Sequence, residues 1–223
     1  MRYRALACDY DGTLATHGKV EPTTMSALRA LQASGCKLIL VTGRVLEDLQ
    51  QVMPELAVFD LCVLENGAVL YDPVAAESTL LASPPPAELI ETMRALGVQQ
   101  IGAGRVVVAT RVAFEALTVQ ALRQLGLRSE LILNKGALMI LPSGIHKGTG
   151  LLAALERLAI SPDCVVAVGD GENDEPLLSA VRCGVAVANA VPSLREAADL
   201  VTSSTHGQGV EEVVGRMIAD ALP

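Results

Sequence analysis

Short apolar runs recur along the chain, at Ala5–Cys8, Leu38–Val41, Leu61–Leu64, Val165–Val168 and Val185–Val187. Their residues do not alternate with polar ones, which is the pattern of strands covered on both faces in a parallel sheet. Helical patterns lie between several of them. Thr23–Ser34 sets Met25, Leu28 and Leu31 on one face, with Pro22 at its start and Gly35 beyond its end. Gly148–Ala159 is expected to turn Leu151, Leu152, Leu155 and Leu158 inward, and Glu211–Leu222 to close the chain as a last helix. This alternation predicts an α/β fold, a doubly wound Rossmann-like parallel sheet.

The middle of the chain breaks the rhythm. Ser83-Pro84-Pro85-Pro86 is a stiff linker signal, and Pro142-Ser143-Gly144 is a second break. Between them the pattern predicts a helix over Ala87–Leu96, a strand over Arg105–Thr110 and a helix over Phe114–Leu125. Strands around Leu131–Leu133 and Ala137–Leu141 follow. The expected organisation is a core of residues 1–83 and 142–223 with a small α+β domain, 84–141, inserted in it.

Composition narrows the choice of function. Of 223 residues 51% are apolar, enough for a sizeable core, and the formal net charge is −8. An acidic chain without Trp, and with three Tyr and two Phe, lacks both the basic footprint and the stacking rings of a nucleic-acid binder. No run is long and apolar enough to span a membrane, and the protein is read as cytoplasmic. Five cysteines, odd in number and far apart, are expected to be buried thiols of a reducing compartment rather than a zinc site.

Three of the apolar runs end in reactive residues. Ala5–Cys8 leads into Asp9-Tyr10-Asp11-Gly12-Thr13, Leu38–Val41 into Thr42-Gly43-Arg44, and Val165–Val168 into Gly169-Asp170-Gly171-Glu172-Asn173-Asp174. In an open α/β sheet, ligands bind just beyond the carboxyl ends of the strands, so these loops would ring one crevice. Asp9 and Asp11, two apart in extended chain, point the same way while Tyr10 points elsewhere. Two carboxylates on one face repel unless a cation or proton intervenes. The plainer alternative is that Asp11-Gly12 only makes a turn. Lys147 opens a helix, where the macrodipole disfavours a cation by about 0.3–1 kcal/mol, a cost that a bound anion there would reverse. A solvated lysine is the ordinary alternative. Asp174 before Pro176 could equally be a helix cap.

Together these stations resemble the four motifs of the haloacid dehalogenase superfamily. Asp9-Tyr10-Asp11-Gly12-Thr13-Leu14, Thr42-Gly43-Arg44, Lys147-Gly148 and Gly169–Asp174 stand in that family's order. Glu65-Asn66-Gly67-Ala68 and Gly184–Ala190 further resemble its Cof-type branch, subclass IIB, and the length is similar to that of archaeal phosphoglycolate phosphatases. The resemblance implies a Mg²⁺-dependent phosphatase acting on a small phosphorylated metabolite, of the phosphoglycolate or sugar phosphate class. It implies that Asp9 is the nucleophile and Asp11 the acid and base. Thr42, Gly43, Arg44, Lys147 and Asn173 would hold the substrate. The metal would lie on Asp9, the Asp11 main-chain carbonyl and Asp170, with Asp174 in support. The inserted domain would be a cap hinged near Ser83 and Ser143, in which Arg105, Arg111 and Lys135 are the candidate anion binders. A phosphomutase, or a receiver-like module that keeps its phosphoryl group, is the alternative, and a homodimer stays open as the assembly.

Overall fold

The structure, a computed structural model, describes residues 2–134 and 136–223. The chain begins with β1 (Ala5–Asp9), α1 (Pro22–Ala33), β2 (Lys37–Val41), α2 (Leu46–Val52), β3 (Leu61–Leu64), β4 (Val69–Asp72) and β5 (Glu77–Leu80). It continues with α3 (Glu88–Ala95), β6 (Gly102–Ala103), β7 (Val108–Arg111), α4 (Glu115–Gln124), β8 (Ser129–Asn134) and β9 (Ala137–Pro142). The rest is α5 (Lys147–Leu158), β10 (Val165–Gly169), α6 (Glu175–Ser179), β11 (Cys183–Ala186), α7 (Pro192–Ala197), β12 (Leu200–Val201) and α8 (His206–Ile218).

Eight strands form one sheet in the order β12-β11-β10-β1-β2-β3-β4-β5. From β12 to β3 all pairs are parallel, with Ala5 opposite Val165 on one side of β1 and Lys37 on the other. β1, β10 and β3 are buried along their whole length, as uninterrupted apolar runs require. The strand order reverses direction at β1, and that is where the crevice of a doubly wound sheet lies. β4 and β5 add an antiparallel margin that the apolar pattern does not announce. β5 is an edge strand with mostly exposed side chains, so nothing selects an apolar run there.

β6, β7, β9 and β8 form a second, antiparallel sheet in that order. One of its faces packs α3 and α4 around Leu89, Met93, Val108, Leu122 and Ile140. Val106, Val107, Met139 and Leu141 belong instead to the apolar cluster of the main sheet. The small sheet is thus docked on the large one through a continuous hydrophobic contact.

Three local expectations are corrected. The last helix is His206–Ile218, not Glu211–Leu222, since Gly207 and Gly209 look like breakers but are contact points. Leu152 is exposed on α5 while Leu151 and Leu155 are buried, because 100° per residue carries Leu152 past the buried stripe. The strand at Arg105–Thr110 runs instead over Val108–Arg111, the N–H groups of Arg105 and Val106 being drawn to another partner described below.

Candidate active site

The loop after β1 is closed by backbone hydrogen bonds from Leu14 to Asp9 (3.3 Å) and from Ala15 to Tyr10 (2.8 Å), with Gly12 at φ +95°. Asp9 and Asp11 line one cavity, whereas Tyr10 is fully buried with its hydroxyl donating to Gly18 O at 3.1 Å. The alternation of an extended chain accounts for this. That cavity, of about 430 Å³, is also lined by Thr42, Gly43, Arg44 and Lys147.

Lys147 reaches the cavity because the first turn of α5 comes very close to its neighbours. A Cβ on Gly67 would meet His146 O at 2.1 Å, and one on Gly148 would meet Pro176 O at 2.3 Å, so neither position admits a side chain. His146 caps the helix, its Nδ1 accepting from Thr149 N at 3.3 Å. The Lys147 ammonium, 2% exposed, lies 2.6 Å from Asp9 Oδ1 and 2.5 Å from Asp174 Oδ1. Asp174 Oδ2 accepts from the backbone N–H groups of Asp170 and Gly171, at 2.9 Å each. Both oxygens of Asp174 are therefore engaged in holding the third loop and the lysine. Thr13 donates to Asp170 Oδ1 at 3.3 Å.

Carboxylate oxygens of Asp9, Asp170 and Asp174, all three residues buried, come within 4.8 Å of one another. Burial pushes the Asp9 carboxyl up to about 8, with Asp174 and Asp170 adding to the rise and Lys147 opposing it. Burial would pull the Lys147 ammonium down, but Asp174 and Asp9 more than reverse this and hold its proton above the ordinary lysine range. With all three ionised, one ammonium would leave an excess of negative charge in a dry place, which is why Asp9 holds its proton so firmly. An all-oxygen donor set of that charge fits a hard divalent cation such as Mg²⁺.

The other predicted residues fall into two groups. Thr42 is buried on the rim of the cavity, its Oγ1 accepting from Arg44 N at 3.2 Å, which leaves its hydroxyl proton to donate. Arg44 grips Asp11 with two hydrogen bonds, Nε to Oδ2 at 2.6 Å and a terminal nitrogen to Oδ1 at 2.7 Å. The Asp11 carboxylate is thus outside the three-carboxylate cluster. Asn173 is not among the residues that line the cavity and donates to Asn66 Oδ1 at 2.9 Å, and Asn66 in turn donates to Met139 Sδ at 2.8 Å. Arg105 and Arg111 are exposed and are not among the residues that line this cavity, and Arg111 Nε donates to Gln100 Oε1 at 3.0 Å. Lys135 lies outside the described residues.

Two residues that site chemistry did not single out are structurally central. Asn189 donates to Gly12 O at 2.8 Å and accepts from His206 N at 2.7 Å, tying the loop after β1 to α8. Glu65, buried, binds the backbone of residues 105–107. Both stand in the segments whose letters carry the Cof-type resemblance, and that was the only signal for them.

The sequence profile of the haloacid dehalogenase-like hydrolases matches residues 6–101 and 120–214. The phosphoglycolate phosphatase of Methanothermobacter thermautotrophicus is 31% identical over 224 residues, spanning 96% of this chain and 99% of its own. That of Methanopyrus kandleri is 33% identical over 227 residues, spanning 95% and 96%. Among solved structures, a sugar phosphatase of subclass IIB is alike in fold, with a TM-score of 0.77 at 20% identity over 98% of this chain and all of that one (100%). The chain belongs to the haloacid dehalogenase-like hydrolases. Within that family it is a phosphatase, a phosphoric monoester hydrolase. No helix among the described residues is long and apolar enough to cross a membrane.

Proposed function

We propose that this phosphatase hydrolyses small phosphate monoesters, phosphoglycolate foremost, through an aspartyl phosphate formed on Asp9. The observation that carries the reading is the meeting of Asp9, Asp170 and Asp174 within 4.8 Å, with Lys147 locked against Asp9 and both Asp9 and Lys147 lining a cavity. Two relatives named phosphoglycolate phosphatase, alike over nearly the whole chain, point to the substrate.

In this reading an Asp9 oxygen attacks phosphorus, and the bond from phosphorus to the alcohol oxygen breaks as the one to Asp9 forms. Asp11 gives its proton to the departing alcohol, then takes one from the water that cleaves the aspartyl phosphate. Its carboxylate is held by Arg44, so that pair opens first, and Arg44 becomes available to a substrate oxygen. Thr42 and Lys147 hold the transferring oxygens. Asp9, the Asp11 main-chain carbonyl and Asp170 would hold Mg²⁺, with Asp174 in support. The metal when bound supplies positive charge against the phosphoryl oxygens. Asn173 acts through Asn66 in shaping the loop. Residues 84–141 serve as a cap that roofs the cavity and excludes water from it.

The test is phosphate release from phosphoglycolate, sugar phosphates, nucleotides and pyridoxal phosphate, each with and without Mg²⁺. Phosphoglycolate is expected to lead, only with Mg²⁺ present, and Asp9→Asn to abolish turnover in a folded protein. Near wild-type turnover in that variant would end the proposal.

A further inference from the structure

Glu65 joins the catalytic floor to its roof. It stands between β3 and β4 at φ +52°, a left-handed conformation rare for a residue with a side chain. Strain of this kind persists only where the surroundings hold it. Its backbone N–H donates to Arg44 O at 3.1 Å, and that of Asn66 donates to Thr42 O at 3.0 Å, which ties this turn to the loop at the floor. Its carboxylate points the other way. Oε1 accepts from Arg105 N at 2.9 Å, and Oε2 from Val106 N and Val107 N at 2.8 Å each. Consecutive N–H groups turned to one side form an anion-binding nest, and here the anion is a side chain of the other sheet's neighbour. The roof rests directly on it, since a Cβ on Gly104 would lie 2.5 Å from Glu65 Cδ. Gly102, Ala103, Gly104 and Val107, in β6 and the turn that leads to β7, line the catalytic cavity beside Ala109, Ala137 and Met139 of the same sheet.

We propose that Glu65 is a positioning residue that sets the height of this roof and thereby restricts the phosphatase to small esters. The inference rests on the proposed hydrolysis of small phosphate monoesters. A carboxylate is needed because three donors must be met by acceptor-only oxygens at fixed distance. Glutamine of the same length would turn an amide NH₂ toward one of the N–H groups. The roof would then lift while Asp9, Lys147 and Thr42 stay in place.

The test compares kcat/KM for phosphoglycolate and for glucose 6-phosphate in the wild type, Glu65→Gln and Gly104→Ala, each with Mg²⁺. Gly104→Ala raises the roof from the opposite side with Glu65 intact, and it carries the test if Glu65→Gln does not fold. Displacing bound substrate by an ångström costs up to about 10²-fold. In both variants the phosphoglycolate value is expected to fall by about that order, and the glucose 6-phosphate value far less, so that preference shifts toward the larger ester. A merely structural role lowers both values by one factor, through the folded fraction. An unchanged ratio in the soluble variants overturns the inference. A wild type that hydrolyses neither ester overturns the functional reading beneath it instead.

Discussion

Lys147 is 2% exposed, and its ammonium is shared between Asp9 at 2.6 Å and Asp174 at 2.5 Å. A buried charge with good partners adds little net stability, but removing one member strands the others and costs about 3–5 kcal/mol. Lys147→Met keeps the length and removes the charge, so it is expected to lower unfolding free energy by about that amount in urea titrations. The sign of the pH dependence follows from the upward shift. A lysine whose proton is held more tightly in the folded state contributes fully below its ordinary value of 10.5 and loses the contribution only above it. The cost of the substitution should therefore be undiminished at pH 10. A variant as stable as the wild type would show that Lys147 is not clamped as described. The sequence placed Lys147 correctly at a helix start and suggested a bound anion there. That the anions are two of the chain's own aspartates follows only from the meeting of three loops.

Among the elements, α8 shows where pattern reading fails. Its expected start at Glu211 is five residues late, and the helix begins at His206 with Gly207 and Gly209 against close neighbours. A Cβ on Gly207 would meet Thr24 Oγ1 at 2.4 Å, and one on Gly209 would meet Ser204 O at 2.7 Å. Alanine at either site is an overpacking change, expected to cost about 1–3 kcal/mol. Gly215 lies in the same helix with nothing within 4 Å, so Gly215→Ala should stabilise by about 0.5–1 kcal/mol. Thermal melts of the three variants check this, and equal effects at all three sites would refute the packing account. α1 was legible by contrast, because Met25, Leu28 and Leu31 form an ordinary buried stripe. The β4–β5 margin was not, since a solvated edge imposes no apolar period.

The molecule draws its acidic site from β1 and the loop after β10, two segments that become neighbours only when the sheet forms. A divalent ion bound there ties those segments together, so it should stabilise the folded chain by mass action. At a hundredfold excess over its dissociation constant the gain is about 2.7 kcal/mol. For a chain of this size that corresponds to a rise in Tm of roughly 5–10 °C. Differential scanning calorimetry with and without Mg²⁺ measures it, and Asp170→Asn should shrink the shift. No shift in the wild type would count against a metal site at these aspartates.

The small sheet alters how the insert is understood. Its boundaries suggested two linkers and a hinge, and the structure adds that Val106, Val107, Met139 and Leu141 lie in the main hydrophobic cluster. Linker composition reads chain stiffness, and it is silent about what a face is packed against.

By itself the sequence determined the α/β class and which acidic residues stand just beyond the apolar runs. Those follow from local periodicity and from side chains that a strand end must display. Only the tertiary structure decided that Arg44 holds Asp11, that Lys147 bridges Asp9 across 138 positions of chain, and that Glu65 carries the roof 40 or more positions away. Such contacts are set by the packing of one element on another, and no local period encodes that.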